Sequence, residues 1–391
     1  MTPISRRAQA IKESGTFVVK KMAEELSAQG HDVIDLGPGE PDFDTLPEAL
    51  EAGAEALQKG LTRYTPAAGM KALREAVAEH YSGAFGARMT WKNVFVSVGG
   101  KGALYHAFLA LLNPGDEVVV PSPYWVSYPE QVALAEGRSV FAPTEDSGFV
   151  LKARHVEAAL SPRSAAVVVN SPSNPTGRVI PEADLAAVLE LARRKNLTVV
   201  ADECYEAYDY EKKFVSSARF WNEYRDGLVL AHTFSKAFAM TGWRVGFIAA
   251  PEDLVAAMGR LQSHSISGAA TMCQYAAAAA LRKPSGAIRP IIERYRARRD
   301  YVCGELRGMP GVELAAVPEG AFYVFPSFRE AMQRLGCAGS ADFARRLLHE
   351  AHVAVVPGAE FGADGCVRIS YAVANERLRE AMGRLRKFLQ G

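Results

Sequence analysis

The sequence has little with which to build a covalent framework. Only five of its 391 residues are cysteine (Cys204, Cys273, Cys303, Cys337, Cys366), an odd number, scattered and without a C-x-x-C spacing. That argues against a disulfide scaffold and a zinc site and suits a reducing cytoplasm. Net charge is nearly absent, with 45 Lys and Arg against 44 Asp and Glu. No global field favours nucleic acid or an anionic membrane, so the ligand is expected to be recognised locally. No apolar run is long enough to cross a bilayer, and Met-Thr-Pro-Ile-Ser-Arg-Arg leads into a charged stretch rather than the apolar core of an export signal. Two nucleotide-binding fingerprints are missing. Gly37-Pro-Gly39 lacks the third glycine of a dinucleotide loop, and Pro38 and Pro41 would remove N–H donors that such a loop needs. A Walker loop, G-x-x-x-x-G-K-[ST], does not occur.

What is present is a chain long enough for two domains, with a hydrophobic fraction of 49% that can fill a substantial core. Short β-rich runs (94–98, 117–120, 139–141, 165–169, 198–201, 228–231, 245–249) alternate with helical patterns such as 185–194. This alternation predicts an α/β fold, a mostly parallel sheet sandwiched by helices, over residues 46–285. Beyond Lys283-Pro-Ser-Gly286, an Arg-dense helix is predicted over 291–306. Strand-like runs follow at 312–314, 321–325, 353–356 and 367–370, with helices near 341–350 and 376–389. These make a smaller α+β domain, residues 286–391. Near the start, Phe17, Val18, Met22 and Leu26 give 16–29 the spacing of an amphipathic helix, followed by a short strand at 33–36.

The most informative stretch is Ala231-His-Thr-Phe-Ser-Lys-Ala-Phe-Ala-Met-Thr-Gly-Trp-Arg-Val-Gly246. It follows the apolar run Leu228–Leu230, so Lys236 should lie just past the carboxyl end of a buried parallel strand, where open α/β sheets hold their ligands. Small and hydroxyl residues (Thr233, Ser235, Ala237, Ala239) leave room around the amine, and Arg244 adds a second cation. A lone Ser-Lys pair is ordinarily a solvated loop. This run, however, resembles the lysine motif of fold type I pyridoxal-phosphate aminotransferases, with companion motifs in the same order from Gly39 to Arg368. The similarity is to the bacterial aspartate and aspartate/prephenate branch.

The resemblance implies pyridoxal 5'-phosphate as cofactor, held covalently by Lys236, and it assigns roles that the residues read alone leave open. Asp202 ends a predicted internal strand and could simply cap a helix; the resemblance pairs it with the protonated ring nitrogen. Tyr205 and Asn174 would donate to the ring's phenolic oxygen, with Asn174-Pro175 a candidate cis bond. Gly100, Lys101 and Gly102 open a helix whose backbone N–H groups can meet a phosphate, joined by Thr233, Ser235 and Arg244. Tyr64 would reach that phosphate from a neighbouring subunit, which implies a homodimer with shared active sites. Trp125, otherwise a core aromatic, would stack on the ring. Arg368 and Gly39 would receive the α-carboxylate of the substrate. Lys101 resembles a lysine that meets a side-chain carboxylate, and Thr16 and Lys12 resemble the amino-terminal segment of members that accept prephenate. For Lys12 a solvated helix is an equal alternative.

The expected activity is ping-pong amino transfer between an amino acid such as aspartate or glutamate and a 2-oxo acid. The resemblance also implies that the amino-terminal segment, residues 1–45, folds onto the carboxy-terminal domain. Other enzymes on the same cofactor, such as aromatic or alanine aminotransferases and C–S lyases, share most of these residues. An aminotransferase-like regulatory domain would need an added DNA-binding segment, for which the near-neutral charge offers no support.

Overall fold

The computed structural model describes residues 3–282 and 288–391. A seven-stranded sheet dominates it, built from β2 (Val94–Val98), β3 (Glu117–Ser122), β4 (Arg138–Pro143), β5 (Ser164–Asn170), β6 (Thr198–Asp202), β7 (Leu228–Thr233) and β8 (Val245–Ala249). The order across the sheet is β2-β8-β7-β6-β5-β3-β4, and only β8 runs antiparallel to its neighbours. Its strands read as continuous apolar runs because helices cover both faces. Alternate residues serve opposite cores. Phe95, Val118, Val168, Val200, Val229 and Ile248 pack on one side, while Val96, Val119, Val167, Val199, Leu230 and Phe247 pack on the other. The chain is an α/β protein of the kind expected.

A second core gathers the rest of the chain. β9 (Tyr323–Val324), β11 (Val356–Pro357) and β12 (Val367–Ser370) form an antiparallel sheet in the order β11-β12-β9. β1 (Ile34–Asp35) pairs in parallel with β10 (Val353–Ala354), joining the amino-terminal segment to the carboxy-terminal one. Ile34 and Leu36 are buried with Tyr295, Val302, Phe343, Leu378 and Leu385, and these come from the helices Ile288–Arg307, Ser340–Ala351 and Asn375–Gln390. The boundary expected at 285/286, with its Lys283-Pro-Ser-Gly286 break, lies outside the described residues.

Three expectations need correction. Residues 312–314 form no strand. Only Glu313 bridges to Ser327, because Gly311 turns the chain with a positive φ immediately before it. The run 353–356 is two strands rather than one, since the chain changes partner from β1 to β12 at Val355. The helix Gly15–Ala28 buries Ala23 and Leu26 but leaves Phe17 60% and Val18 39% exposed. Its apolar stripe is therefore rotated away from those two side chains, and Phe17 instead borders a cavity.

Candidate active site

The parallel strands all deliver their carboxyl ends to one edge of the large sheet. Register places Asn170 beside Asp202, and Asp202 beside Ala231. The loops leaving β5, β6 and β7 thus start side by side, and they enclose a cavity of about 320 Å³ between the large sheet and the small one.

Asp202 lies in this wall, 5% exposed. Its Oδ2 accepts from the Tyr128 hydroxyl at 2.7 Å and its Oδ1 from the Cys204 N–H at 3.3 Å. Burial raises its pKa, with the Tyr128 bond opposing that rise. No Lys or Arg pairs with it among the described residues. Lys236 projects into the same space, and its amine donates to the Gly39 carbonyl. Burial lowers its pKa, so the amine is poised to lose its proton more readily than a surface lysine.

At one end, Gly99 begins the helix Gly99–Leu111 with φ +69°, and the Arg244 guanidinium lies against it. A Cβ on Gly99 would fall 2.6 Å from Arg244 Nη2, so only glycine lets that cation approach the helix start. Gly100 and Lys101 border the cavity; Gly102 sits one step behind, facing the Ser97 hydroxyl. The Thr233 and Ser235 hydroxyls are 2.9 Å apart in the same wall. Lys101 Nζ lies 5.2 Å from the centroid of the Trp125 ring, and burial lowers the pKa of that lysine.

At the other end, Arg368 on β12 is 2% exposed. It donates to Asn174 Oδ1 at 3.0 Å and to the Gly37 carbonyl at 2.5 Å, while its Nε has no partner. The Tyr323 and Phe361 rings sandwich it at 4.5 and 5.0 Å. Asn174 is held through its N–H to Asn170 Oδ1 at 2.8 Å, and Asn174-Pro175 is cis. Tyr205 is buried, its hydroxyl 2.7 Å from that of Tyr323.

The charge balance of the wall is uneven. Lys20, Lys101, Lys236, Arg244 and Arg368 face only Glu40 and Asp202. A buried guanidinium without a carboxylate is costly unless an anion joins it. The site is therefore shaped for a ligand carrying several negative charges, with one cationic ring group for Asp202. These residues fit a phosphorylated, aldehyde-bearing pyridine: an amine of lowered pKa, an unpaired buried acid, and a helix start with an arginine beside it.

Of the residues singled out from sequence, three lie outside the cavity wall: Gly102 just behind it, and Lys12 and Tyr64 well away. Lys12 is exposed on the link between two helices, where its N–H reaches Glu130 at 3.3 Å. Only Thr16 and its neighbours from that segment border the cavity. Tyr64 is 95% exposed on its loop. Conversely, Tyr128, Tyr323, Gly37 and His232 escaped the sequence reading. Tyr128 lies three residues past Trp125 and Tyr323 within the strand-like run 321–325, but an aromatic among apolar residues gives no sign that its hydroxyl faces a site.

Comparison with known proteins agrees with this geometry. The family model for aminotransferases of class I and II matches residues 31–385. The chain is 43% identical over 394 residues to the aspartate/prephenate aminotransferase of Thermus thermophilus, covering 100% of this chain and 99% of that one. It is 40% identical over 391 residues to the probable aspartate/prephenate aminotransferase of Aquifex aeolicus, covering 99% and 98%. The solved structure of aspartate aminotransferase from Thermus thermophilus with maleate superposes with a TM-score of 0.92 at 42% identity, covering 99% of this chain and 100% of that chain. With a lysine, an acid and an arginine brought to one cavity on this fold, the chain belongs to the class I and II aminotransferases, enzymes that depend on pyridoxal phosphate.

Proposed function

We propose that this aminotransferase moves an amino group between aspartate or glutamate and a 2-oxo acid, 2-oxoglutarate or oxaloacetate, with prephenate a further acceptor. The observation that carries the reading is the pair of cations at opposite ends of one cavity, Arg368 without a counter-ion and Lys101 at the rim. A dicarboxylic substrate has a charge for each.

Lys236 attaches the coenzyme. Asp202 holds the ring nitrogen, with Tyr128 and the Cys204 N–H keeping its carboxylate oriented. Tyr205 and Asn174 serve the phenolic oxygen. The phosphate is taken by the N–H groups at Gly100, Lys101 and Gly102, the hydroxyls of Thr233 and Ser235, and the Arg244 guanidinium, with Tyr64 contributed by a second copy of the chain. Trp125 covers the ring. When bound, the coenzyme supplies an exchangeable carbon–nitrogen double bond and an electron sink for the substrate's α carbon. Arg368 grips the α-carboxylate in two-pronged fashion while the Gly39 backbone approaches it. The Lys236 amine, its pKa lowered by burial, would be the group to take up the α-carbon proton and to give one back. Lys101 and Thr16 face the substrate's distal group. Lys12 is not carried into this reading, because it stands away from the cavity.

The division into a large domain, 46–285, and a small one, 1–45 with 286–391, follows the two cores, and the small domain closes the cavity. A cytoplasmic homodimer fits the five free cysteines and the exposed Leu50, Leu57 and Tyr64. Purified protein given pyridoxal phosphate should turn yellow. With aspartate and 2-oxoglutarate it should yield oxaloacetate and glutamate by ping-pong kinetics. A protein that stays colourless, or that releases ammonia instead of glutamate, would overturn the assignment.

A further inference from the structure

Tyr323 lies against three residues of the site, Arg368, Tyr205 and Gly39, and has no role in the reading given above. It is fully buried on β9, beside the strand that carries Arg368. Its ring lies 4.5 Å beneath the Arg368 guanidinium and packs edge-on against Tyr205, with centroids 5.6 Å apart. Its hydroxyl is 2.7 Å from the Tyr205 hydroxyl and sits where a Cβ on residue 39 would collide with it. The residue that holds Gly39 open is thus also the one that holds Tyr205.

Two hydroxyls in one hydrogen bond have two protons to place. Neither hydroxyl has another hydrogen-bond partner among the described residues, so one donates to the other and what fills the cavity decides which. On the reading given above Tyr205 donates to the coenzyme's phenolic oxygen, and with its one proton so used it can only accept from Tyr323. Burial pushes the Tyr323 pKa up to about 12, so the proton stays in place at neutral pH.

We propose that Tyr323 is a positioning residue: its hydroxyl donates to Tyr205 and thereby turns the Tyr205 proton toward the coenzyme's phenolic oxygen, while its ring supports Arg368. The inference rests on the coenzyme reading given above. It ties the substrate clamp on the small sheet to the electronics of the coenzyme on the large one.

The test is a pH titration of the visible absorbance of the holoenzyme. A donor at the phenolic oxygen favours its anionic form, so weakening that donor raises the midpoint. Tyr323→Phe keeps the ring and should raise the midpoint by about half a unit to one unit, the range of a single hydroxyl hydrogen bond. kcat should fall about three- to tenfold with KM for the amino acid changed less than about twofold. In a Tyr205→Phe background the same substitution should leave the midpoint where Tyr205→Phe alone puts it, because the hydroxyl acts only through Tyr205. Tyr323→Leu removes the support and should raise KM as well; if that variant fails to fold, the phenylalanine variant still decides. An unshifted midpoint in Tyr323→Phe, or an equal shift with and without Tyr205, overturns the inference. A wild-type protein that takes up no coenzyme overturns the proposed function instead, so the two failures are distinct.

Discussion

The floor and the roof of the cavity are built by different means. The floor is the carboxyl edge of the large sheet, where Asp202, Thr233 and the Asn170 loop are set by strand register, one hydrogen-bonded residue beside the next. The roof is Arg368, Tyr323 and the 37–39 loop, drawn from the two ends of the chain; backbone pairing sets β9 and β12 side by side, and side chains tie them to the loop and to the floor. Arg368 spans to Gly37 across 331 positions and to Asn174 across 194. Backbone pairing tolerates most substitutions that preserve a strand, whereas the side-chain ties from the roof to the loop and the floor are sensitive at each one. The floor therefore should set whether the chemistry occurs, and the arginine of the roof how well the substrate is gripped.

The largest expected effect tests the floor. Lys236→Ala should abolish the visible absorbance of added coenzyme and lower turnover by at least about 10³-fold, because it removes both the attachment and the proton carrier. Near-normal activity would break the whole reading. Arg368→Ala tests the roof. kcat/KM for the amino acid should fall about 10²–10³-fold, mainly through KM, as for one partner of a buried ion pair. Uptake of the coenzyme, read from the visible absorbance, should be retained, and its loss would merge the two regions that the comparison separates.

A third test contrasts two adjacent acids of the floor. Strand alternation sends Asp202 to the cavity and Glu203 into the core behind it, where Glu203 accepts from Ser216 Oγ at 2.5 Å and the Ser217 N–H at 2.6 Å. Burial raises the Glu203 pKa from 4.5 to about 7 despite those bonds. A folded-state pKa above the unfolded one contributes stability that is complete below the unfolded value and is lost as pH rises through the folded value. Glu203→Gln should therefore remove about 3 kcal/mol of the pH dependence of unfolding between pH 4.5 and 7, measured by urea titration at pH 4.5 and pH 8. A uniform offset at both pH values would show that Glu203 does not titrate there. The smallest effect belongs to the rim. Lys101→Met should cost aspartate about tenfold in kcat/KM and alanine much less, since a partly exposed cation contributes on the order of 1 kcal/mol. Equal losses for both substrates would remove Lys101 from substrate recognition.

Legibility followed the same division. β2, β8 and β12 were readable to the residue, and β5, β6 and β7 to within two residues, because buried strands are short, mostly apolar runs ended by punctuation. The floor residues lie at or just past the ends of such strands, and it is the resemblance of their motifs that singled out Lys236, Asp202 and Asn174. The roof was readable only in part. Arg368 was noticeable as a charge inside an apolar strand. Tyr323 was not, since a tyrosine in Ala-Phe-Tyr-Val-Phe is what any buried strand contains. The turned stripe of the helix Gly15–Ala28 was equally hidden. Phe17 and Val18 fit the helical period as well as Val19 does, and what covers a face is decided by the partner helix and strand.

Local order in the chain was enough to determine the alternating elements, the reactive amine beyond β7 and the acid at the tip of β6, because each depends on neighbours a few positions away. Distant folding decided that an arginine near the carboxyl terminus faces a glycine near the amino terminus, that Tyr128 supports Asp202, and that Lys12 stands clear of the cavity. Those outcomes depend on which surfaces pack together, and packing joins residues hundreds of positions apart with no periodicity to mark them.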